Sequence, residues 1–287
     1  MANTSGVAIV TDSTADLTPS LVEELGIVVV PLSITFGKET FQDGIDLTSP
    51  EFLDRLERST SLPTTSQPSV SSFERVFGDA IARDQDVVCI TISSDLSGTY
   101  NAARPAAEAT GSDRIHVIDS RATTMQQGWI VVAAARLARA GAGAENVVAG
   151  ATSAIPRSRL FAVLKTLDHV HKGGRIGRAQ QLVGSALAIK PVLSFVDGVL
   201  VPIERVRTWK RALARATELT TDLPDPTDIA VLHSGNLPDA ERTSVELRRK
   251  FPTANVAISY AGATISTYAG PGAVGIAALL PDDDSRL

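Results

Sequence analysis

Two short stretches carry hydroxyls at spacings that suit an anion. The first is Thr91-Ile92-Ser93-Ser94-Asp95-Leu96-Ser97-Gly98-Thr99-Tyr100-Asn101. An apolar, β-branched run ends at Ile92, as in a buried strand, and a small, helix-favouring segment follows from Asn101. The order is strand, tight polar turn, helix. It points the first N–H groups of the helix outward, with the positive end of the helix dipole behind them. Ser93, Ser94, Ser97 and Thr99 add hydroxyls, and Gly98 lets a ligand approach the backbone. Such a turn holds an anion without a charged side chain. A serine before a helix also serves as an N-cap, and the stretch by itself fits both roles.

The second stretch, Thr64-Thr65-Ser66-Gln67-Pro68-Ser69, leads into a helix at Val70. Two hydroxyl-rich strand-to-helix turns of one sheet would face each other at its carboxyl edge, where open α/β folds bind ligands. Other chemistry has weaker signals. There is no Gly-x-Gly-x-x-Gly, phosphate loop or Gly-x-Ser-x-Gly elbow. His169 and His171 lie two apart without a Cys or carboxylate cluster beside them, which is poor metal-ligand spacing. Asp12, Asp16 and Asp119 end or follow strands, where an Asp caps a turn or serves as acid or ligand. Spacing identifies no nucleophile–base pair, so no catalytic residue, metal site or cofactor is assigned. Two basic stretches, 172–178 and 205–211, stand out in an acidic chain. They read as solvated surface or as a docking patch for an acidic partner.

Positioning these turns needs a sheet. Residues 7–12, 28–34, 86–92 and 115–119 read as strands, with helices over 19–25, 50–58, 70–83, 101–109, 125–140 and 144–153. Residues 36–47 read as an extended excursion and 59–69 as a polar loop. This alternation implies a mostly parallel sheet covered on both faces. Beyond Arg157 the pattern becomes α+β. Asp197-Gly198 marks a hairpin, a helix covers 209–220, and 229–233 and 256–259 flank another helix. The expected domains are 1–157 and 158–287. With 287 residues and 44% hydrophobic content the chain can build full cores. Its net charge of −5 argues against nucleic acid as a partner. Cys89 is the lone cysteine and sits in a strand, which implies packing. No secretory signal is visible, and the longest apolar stretch, 129–135, is cut by Arg136 and too short to span a bilayer. A cytoplasmic protein without a transmembrane segment is the expectation.

Six motifs in order resemble the DegV family: Thr11-Asp12-Ser13-Thr14-Ala15-Asp16, Thr65-Ser66-Gln67-Pro68-Ser69, Ser93-Ser94-Asp95-Leu96-Ser97-Gly98-Thr99-Tyr100, Gly173-Gly174-Arg175-Ile176, Ile189-Lys190-Pro191-Val192 and Gly270-Pro271-Gly272-Ala273. The resemblance implies a two-domain α/β protein that buries one long-chain fatty acid between its domains. It also implies, as for some members, a role as the binding subunit of a bacterial fatty acid kinase. Such a subunit presents the carboxylate to a separate ATP-using subunit, which makes acyl phosphate for phospholipid synthesis. By motif, the carboxylate-binding threonine falls on Thr65 and the serine on Ser97, with Ser66, Ser94 and Gly98 beside them. Tyr268 stands where the family often has a histidine; a phenol donates a hydrogen bond but carries no positive charge. The resemblance places the partner-facing arginine at Arg205 and the glycine-turn arginine at Arg175, and Arg207 shares the basic stretch with Arg205. Two other functions fit the hydroxyl loops: an enzyme acting on a small phosphorylated or acyl substrate, and a ligand-sensing regulatory module.

Overall fold

A computed structural model describes residues 6–182 and 189–282. Strand β1 (Val7–Asp12) is buried along its whole length. Helix α1 (Pro19–Leu25) starts at Thr18, whose hydroxyl accepts from the Leu21 N–H, and stops at Gly26 in the left-handed region, φ 63°. Strands β2 (Val28–Val30), β3 (Ser33–Phe36) and β4 (Glu39–Gln42) follow. The single strand expected over 28–34 is therefore two. Pro31 has no N–H to donate to a ladder, and the Leu32 N–H bonds Ser13 Oγ at 3.0 Å. β2 stays beside β1, while β3 turns into a separate sheet.

Next come α2 (Ser49–Arg58), β5 (Thr64–Ser66), α3 (Val70–Ala82), β6 (Asp86–Thr91), α4 (Thr99–Ala109) and β7 (Ile115–Asp119). Strands β2-β1-β6-β7 form a four-stranded parallel sheet. The excursion after Phe36 is the turn into β4, and β4-β3-β5 form a small antiparallel sheet. Residues 64–66, expected in a loop, are thus a strand, with Thr65 opposite Ile34. The two hydroxyl stretches consequently belong to different sheets.

The chain continues through α5 (Thr124–Arg139), α6 (Ala144–Ala154), β8 (Ser158–Val163), α7 (Asp168–Lys172), β9 (Val192–Val196), β10 (Val199–Glu204) and α8 (Trp209–Thr221). It ends with β11 (Asp228–His233), α9 (Leu237–Lys250), β12 (Asn255–Tyr260), α10 (Ala263–Ala269) and β13 (Val274–Leu279). These strands make a mixed six-stranded sheet, β10-β9-β8-β13-β11-β12, parallel only between β11 and β12. Asp197 and Gly198 both have positive φ, 51° and 82°, as a tight hairpin turn requires.

Helix α5 joins the two large sheets. Its Trp129, Ile130, Val131 and Val132 are fully buried in one apolar cluster with Val7, Ile9, Val88 and Ile90 of the parallel sheet and Leu160, Ala230, Leu232 and Ala277 of the mixed sheet. An apolar stretch of this kind is hydrophobic all round because both sides are covered. Trp129 Nε1 donates to Ala277 O at 3.1 Å. Arg136, which interrupts the stretch, forks onto Asp228 of β11 at 2.7 and 2.8 Å. Burial alone would raise the Asp228 carboxyl; the Arg136 guanidinium, together with hydrogen bonds from Asn255 and Thr227, outweighs it and holds the group below its usual range. Among the described residues no helix is long and apolar enough to cross a membrane. Cys89 is buried in β6, and burial pushes its thiol up.

Candidate functional site

Asp12 organises the carboxyl edge of the parallel sheet. One oxygen accepts from the Thr14 N–H at 3.0 Å and from the Thr14 hydroxyl. The other accepts from the Ile92 N–H at 2.8 Å and from Gln127 Nε2 at 3.2 Å. Burial raises its carboxyl, and these bonds oppose the rise. Its role is to tie the end of β1 to the start of the serine turn. Asp119 does the same from β7, accepting from Ser94 Oγ at 2.6 Å, Ser94 N–H at 3.2 Å and Arg121 N–H at 2.9 Å.

These bonds sort the serines. Ser97 lines a cavity together with Ile92 and Leu96; its Oγ lies 2.8 Å from Thr99 Oγ1 and accepts from the Thr99 N–H at 3.3 Å. Ser93 Oγ donates to Gly198 O at 2.9 Å, latching the turn to the β9–β10 hairpin. Ser94 was expected at the ligand, but its hydroxyl is committed to Asp119 and it is not among the lining residues. Gly98 is not among them either: the Gln67 side chain fills the space over its Cα. The close approach that Gly98 permits is therefore to Gln67.

Thr65, Ser66 and Gln67 line the opposite wall. Thr65 Oγ1 is 2.5 Å from the phenol oxygen of Tyr268 on α10. That helix is held at its start by two carboxylates distant in sequence. Asp16 accepts from the Gly262 N–H at 3.0 Å, and Asp43 accepts from the Ala263 and Thr264 N–H groups, each at 3.2 Å. Carboxylates at a helix start satisfy its orphan donors. Burial raises both carboxyls, that of Asp16 well above the usual range. At the other end the Tyr268 ring packs on Gly173, where a Cβ would come within 2.5 Å of ring carbon Cδ1.

Arg175 sits at the same mouth. Its guanidinium carbon is 5.1 Å from the Tyr268 ring centre, Nε donates to Leu96 O at 3.2 Å, and Nη1 donates to Gly173 O at 2.7 Å. It thus links the serine turn to α10 and lines the cavity, a place its basic neighbourhood did not reveal. Arg205 and Arg207 are exposed and do not line the cavity.

The cavity has a volume of about 450 Å3, within the roughly 300–1,000 Å3 of small-molecule sites. Besides Thr65, Ser97 and Tyr268 the wall carries a second polar group, Thr14, Thr123, Thr124, His233, Ser234 and Thr264, and much of the remainder is apolar. Leu160 and Ala162 on β8 and Leu164 beyond it alternate onto one side, joined by Leu193, Phe195 and Leu200 from the hairpin and by Val170, Leu232 and Val274. The arrangement is a slot that combines a large apolar surface with hydroxyl donors, suited to an amphiphile with an anionic head. His169 and His171 lie on α7, and no group of three His, Cys, Asp or Glu among the described residues is arranged to hold a metal.

Residues 6–280 match the sequence model of the family described as "Uncharacterised protein, DegV family". A DegV domain-containing protein of Halalkalibacterium halodurans is 38% identical over 275 residues, 94% of this chain and 97% of its own. Protein DegV of Bacillus subtilis is 32% identical over 274 residues, 94% of this chain and 98% of its own. Among solved structures, the fold is similar to a DegV family protein from Thermus thermophilus described by its fatty acid binding, with TM-score 0.87 and 31% identity, covering 96% of this chain and 99% of that one. It is similar also to DegV, a fatty acid binding protein from Bacillus subtilis, with TM-score 0.87 and 32% identity over 97% of this chain and 100% of that one. A stearic acid-binding protein from Eubacterium ventriosum gives TM-score 0.88 at 26% identity, covering 96% of this chain and 98% of that one. With the family model matched over residues 6–280, and with relatives and solved folds similar along nearly the whole chain, the protein belongs to the DegV family.

Proposed function

We propose that this protein binds one long-chain fatty acid in the slot and presents its carboxylate to a separate fatty acid kinase subunit. The supporting observation is the make-up of the cavity wall: the hydroxyls of Thr65, Ser66, Ser97 and Tyr268 open onto the same space as the aliphatic side chains of Leu160, Leu164, Leu193, Leu200 and Val274. In this reading residues 1–157 and 158–287 are the two domains, and the ligand lies between them.

The division of labour follows from magnitudes. About fourteen methylenes at ~0.8 kcal/mol each offer on the order of 11 kcal/mol before the costs of binding. The tail supplies affinity, so the head site needs only to satisfy the carboxylate's lone pairs, which hydroxyl donors do. A carboxylate held by hydroxyls keeps more of its nucleophilic character than one in an arginine clamp.

The transfer itself needs metal-held phosphates and cationic stabilisation of the migrating group, which this reading assigns to the other subunit. The chain is then a cytoplasmic carrier in phospholipid synthesis, with Arg205 and Arg207, and Arg175 at the mouth, facing the partner. Reconstitution with a kinase subunit, ATP and palmitate tests this. Arg205→Ala is expected to keep fatty-acid binding and to lower acyl-phosphate formation, and added salt should weaken the wild-type association and so narrow the difference. Full turnover of the variant at limiting protein would contradict the docking role. An empty protein that by itself hydrolyses acyl esters would favour the enzyme reading.

A further inference from the structure

The second polar group of the slot wall is not uniform. Three of its hydroxyls are spent inside the protein: Thr14 Oγ1 donates to Asp12, Thr124 Oγ1 donates to Asp16 Oδ2 at 2.6 Å, and Ser234 Oγ donates to Ser266 Oγ at 3.1 Å. His233 differs. It borders the slot, is 2% exposed, and packs its ring 4.3 Å from that of Tyr260, yet its Nδ1 is buried with no hydrogen-bond partner. Leaving a buried polar atom unpaired costs free energy, so the ring wants a partner that the chain does not supply. The backbone fixes where that partner would sit. His233 ends β11, paired with Tyr260 and Val274 on its two sides, and its carbonyl accepts from the Ala261 N–H at 2.9 Å. It therefore stands beside the start of α10, whereas Tyr268 is near the end of that helix. At 1.5 Å per residue the helix advances about 7.5 Å from Ala263 to Tyr268, the span of about six bonds of an extended alkyl chain.

We propose that His233 recognises a hydroxyl on the acyl chain, near its sixth carbon, so that the slot takes fatty acids hydroxylated on the head-side half of the chain. The inference rests on the fatty-acid reading of the slot. Burial holds the His233 imidazole below its usual range, with Glu241 opposing the shift. A neutral imidazole carries one N–H and one lone pair. A hydroxyl both donates and accepts, so it pairs with the ring in either tautomer. A keto group only accepts, a methylene does neither, and a second carboxylate would meet no positive charge there. The same hydroxyl placed against Leu164, Leu193 or Leu200 would lose its bonds to water and gain nothing in return. Position along the chain is thus what His233 discriminates.

The probes are palmitate, 6-hydroxypalmitate and 16-hydroxypalmitate, with affinities measured by calorimetry on wild type, His233→Phe and His233→Gln. Wild type is expected to bind the 6-hydroxy acid at least as tightly as palmitate, and about tenfold more tightly than the 16-hydroxy acid. The readout on the variants is the ratio of 6-hydroxypalmitate to palmitate affinity, because replacing the ring changes the wall for every ligand. That ratio should fall about tenfold in the Phe variant and recover in part in the Gln variant, whose amide again donates and accepts. A wild type that binds the two hydroxy acids equally would overturn the proposal without recourse to any variant and would leave water as the partner of the ring. A Phe variant with the wild-type ratio would overturn it as well. If palmitate and both hydroxy acids all fail to bind wild type, the fatty-acid reading falls first and this inference with it, a result distinct from the others.

Discussion

Thr65 Oγ1 and Tyr268 Oη are 2.5 Å apart across 203 residues of sequence. One hydroxyl donates to the other, and the remaining O–H is free to donate to a ligand oxygen. The pair therefore works as a unit: the group that accepts internally donates outward. Tyr268→Phe removes the phenol and leaves the Thr65 hydroxyl without this partner. Palmitate binding is expected to weaken by roughly tenfold, while Tyr268→His, which restores a donor, keeps it. Unchanged affinity in the Phe variant would reduce Tyr268 to packing on Gly173.

The serine turn makes a sharper separation. Ser97 lines the slot, whereas Ser94 donates to Asp119 at 2.6 Å. Ser97→Ala removes a hydrogen bond to a charged head group, about 1.5–3 kcal/mol, and should cost at least tenfold in affinity. Ser94→Ala should lower unfolding stability by about 1–2 kcal/mol and leave affinity near wild type. Titrations and denaturation curves on the two variants check this, and the reverse pattern would contradict the assignment.

Asp16 gives a pH signature. Burial pushes its carboxyl well above the usual range; the Thr124 hydrogen bond opposes the rise, and the neighbouring Asp43 adds to it. A carboxyl raised in the folded state holds its proton more tightly there than in the unfolded chain. Its contribution to stability is then full below the unfolded pKa and is lost as pH rises through the folded pKa. Asp16→Asn lacks this dependence. In denaturation from about pH 4 to about pH 8, wild type should lose stability relative to the variant as pH rises. Parallel curves would count against a raised Asp16.

Local signals made much of the fold legible. Thr18-Pro19 and Gly26 bracket α1 as read, and Asp197-Gly198 turns the hairpin. Runs of β-branched residues mark β1 and β6 because burial on both faces demands them. What escaped reading depends on distant partners. Residues 64–66 look like loop until β3 pairs with them. Helix α10 was not anticipated: Thr264, Ile265 and Thr267 are poor helix formers, and its first N–H groups are satisfied by Asp16 and Asp43. The hydroxyl spacing pointed to the two turns, and the family resemblance to Thr65 and Ser97 within them, yet nothing local separates Ser97 from Ser94. That distinction is made by Asp119, on another strand.

The central claim is that the slot holds a fatty acid, and native mass spectrometry of freshly purified protein tests it most directly. The account predicts an added mass of one long-chain fatty acid per chain, released on denaturation, or stoichiometric uptake of added palmitate or oleate if the protein emerges empty. A chain that carries no lipid and takes up neither acid would contradict it.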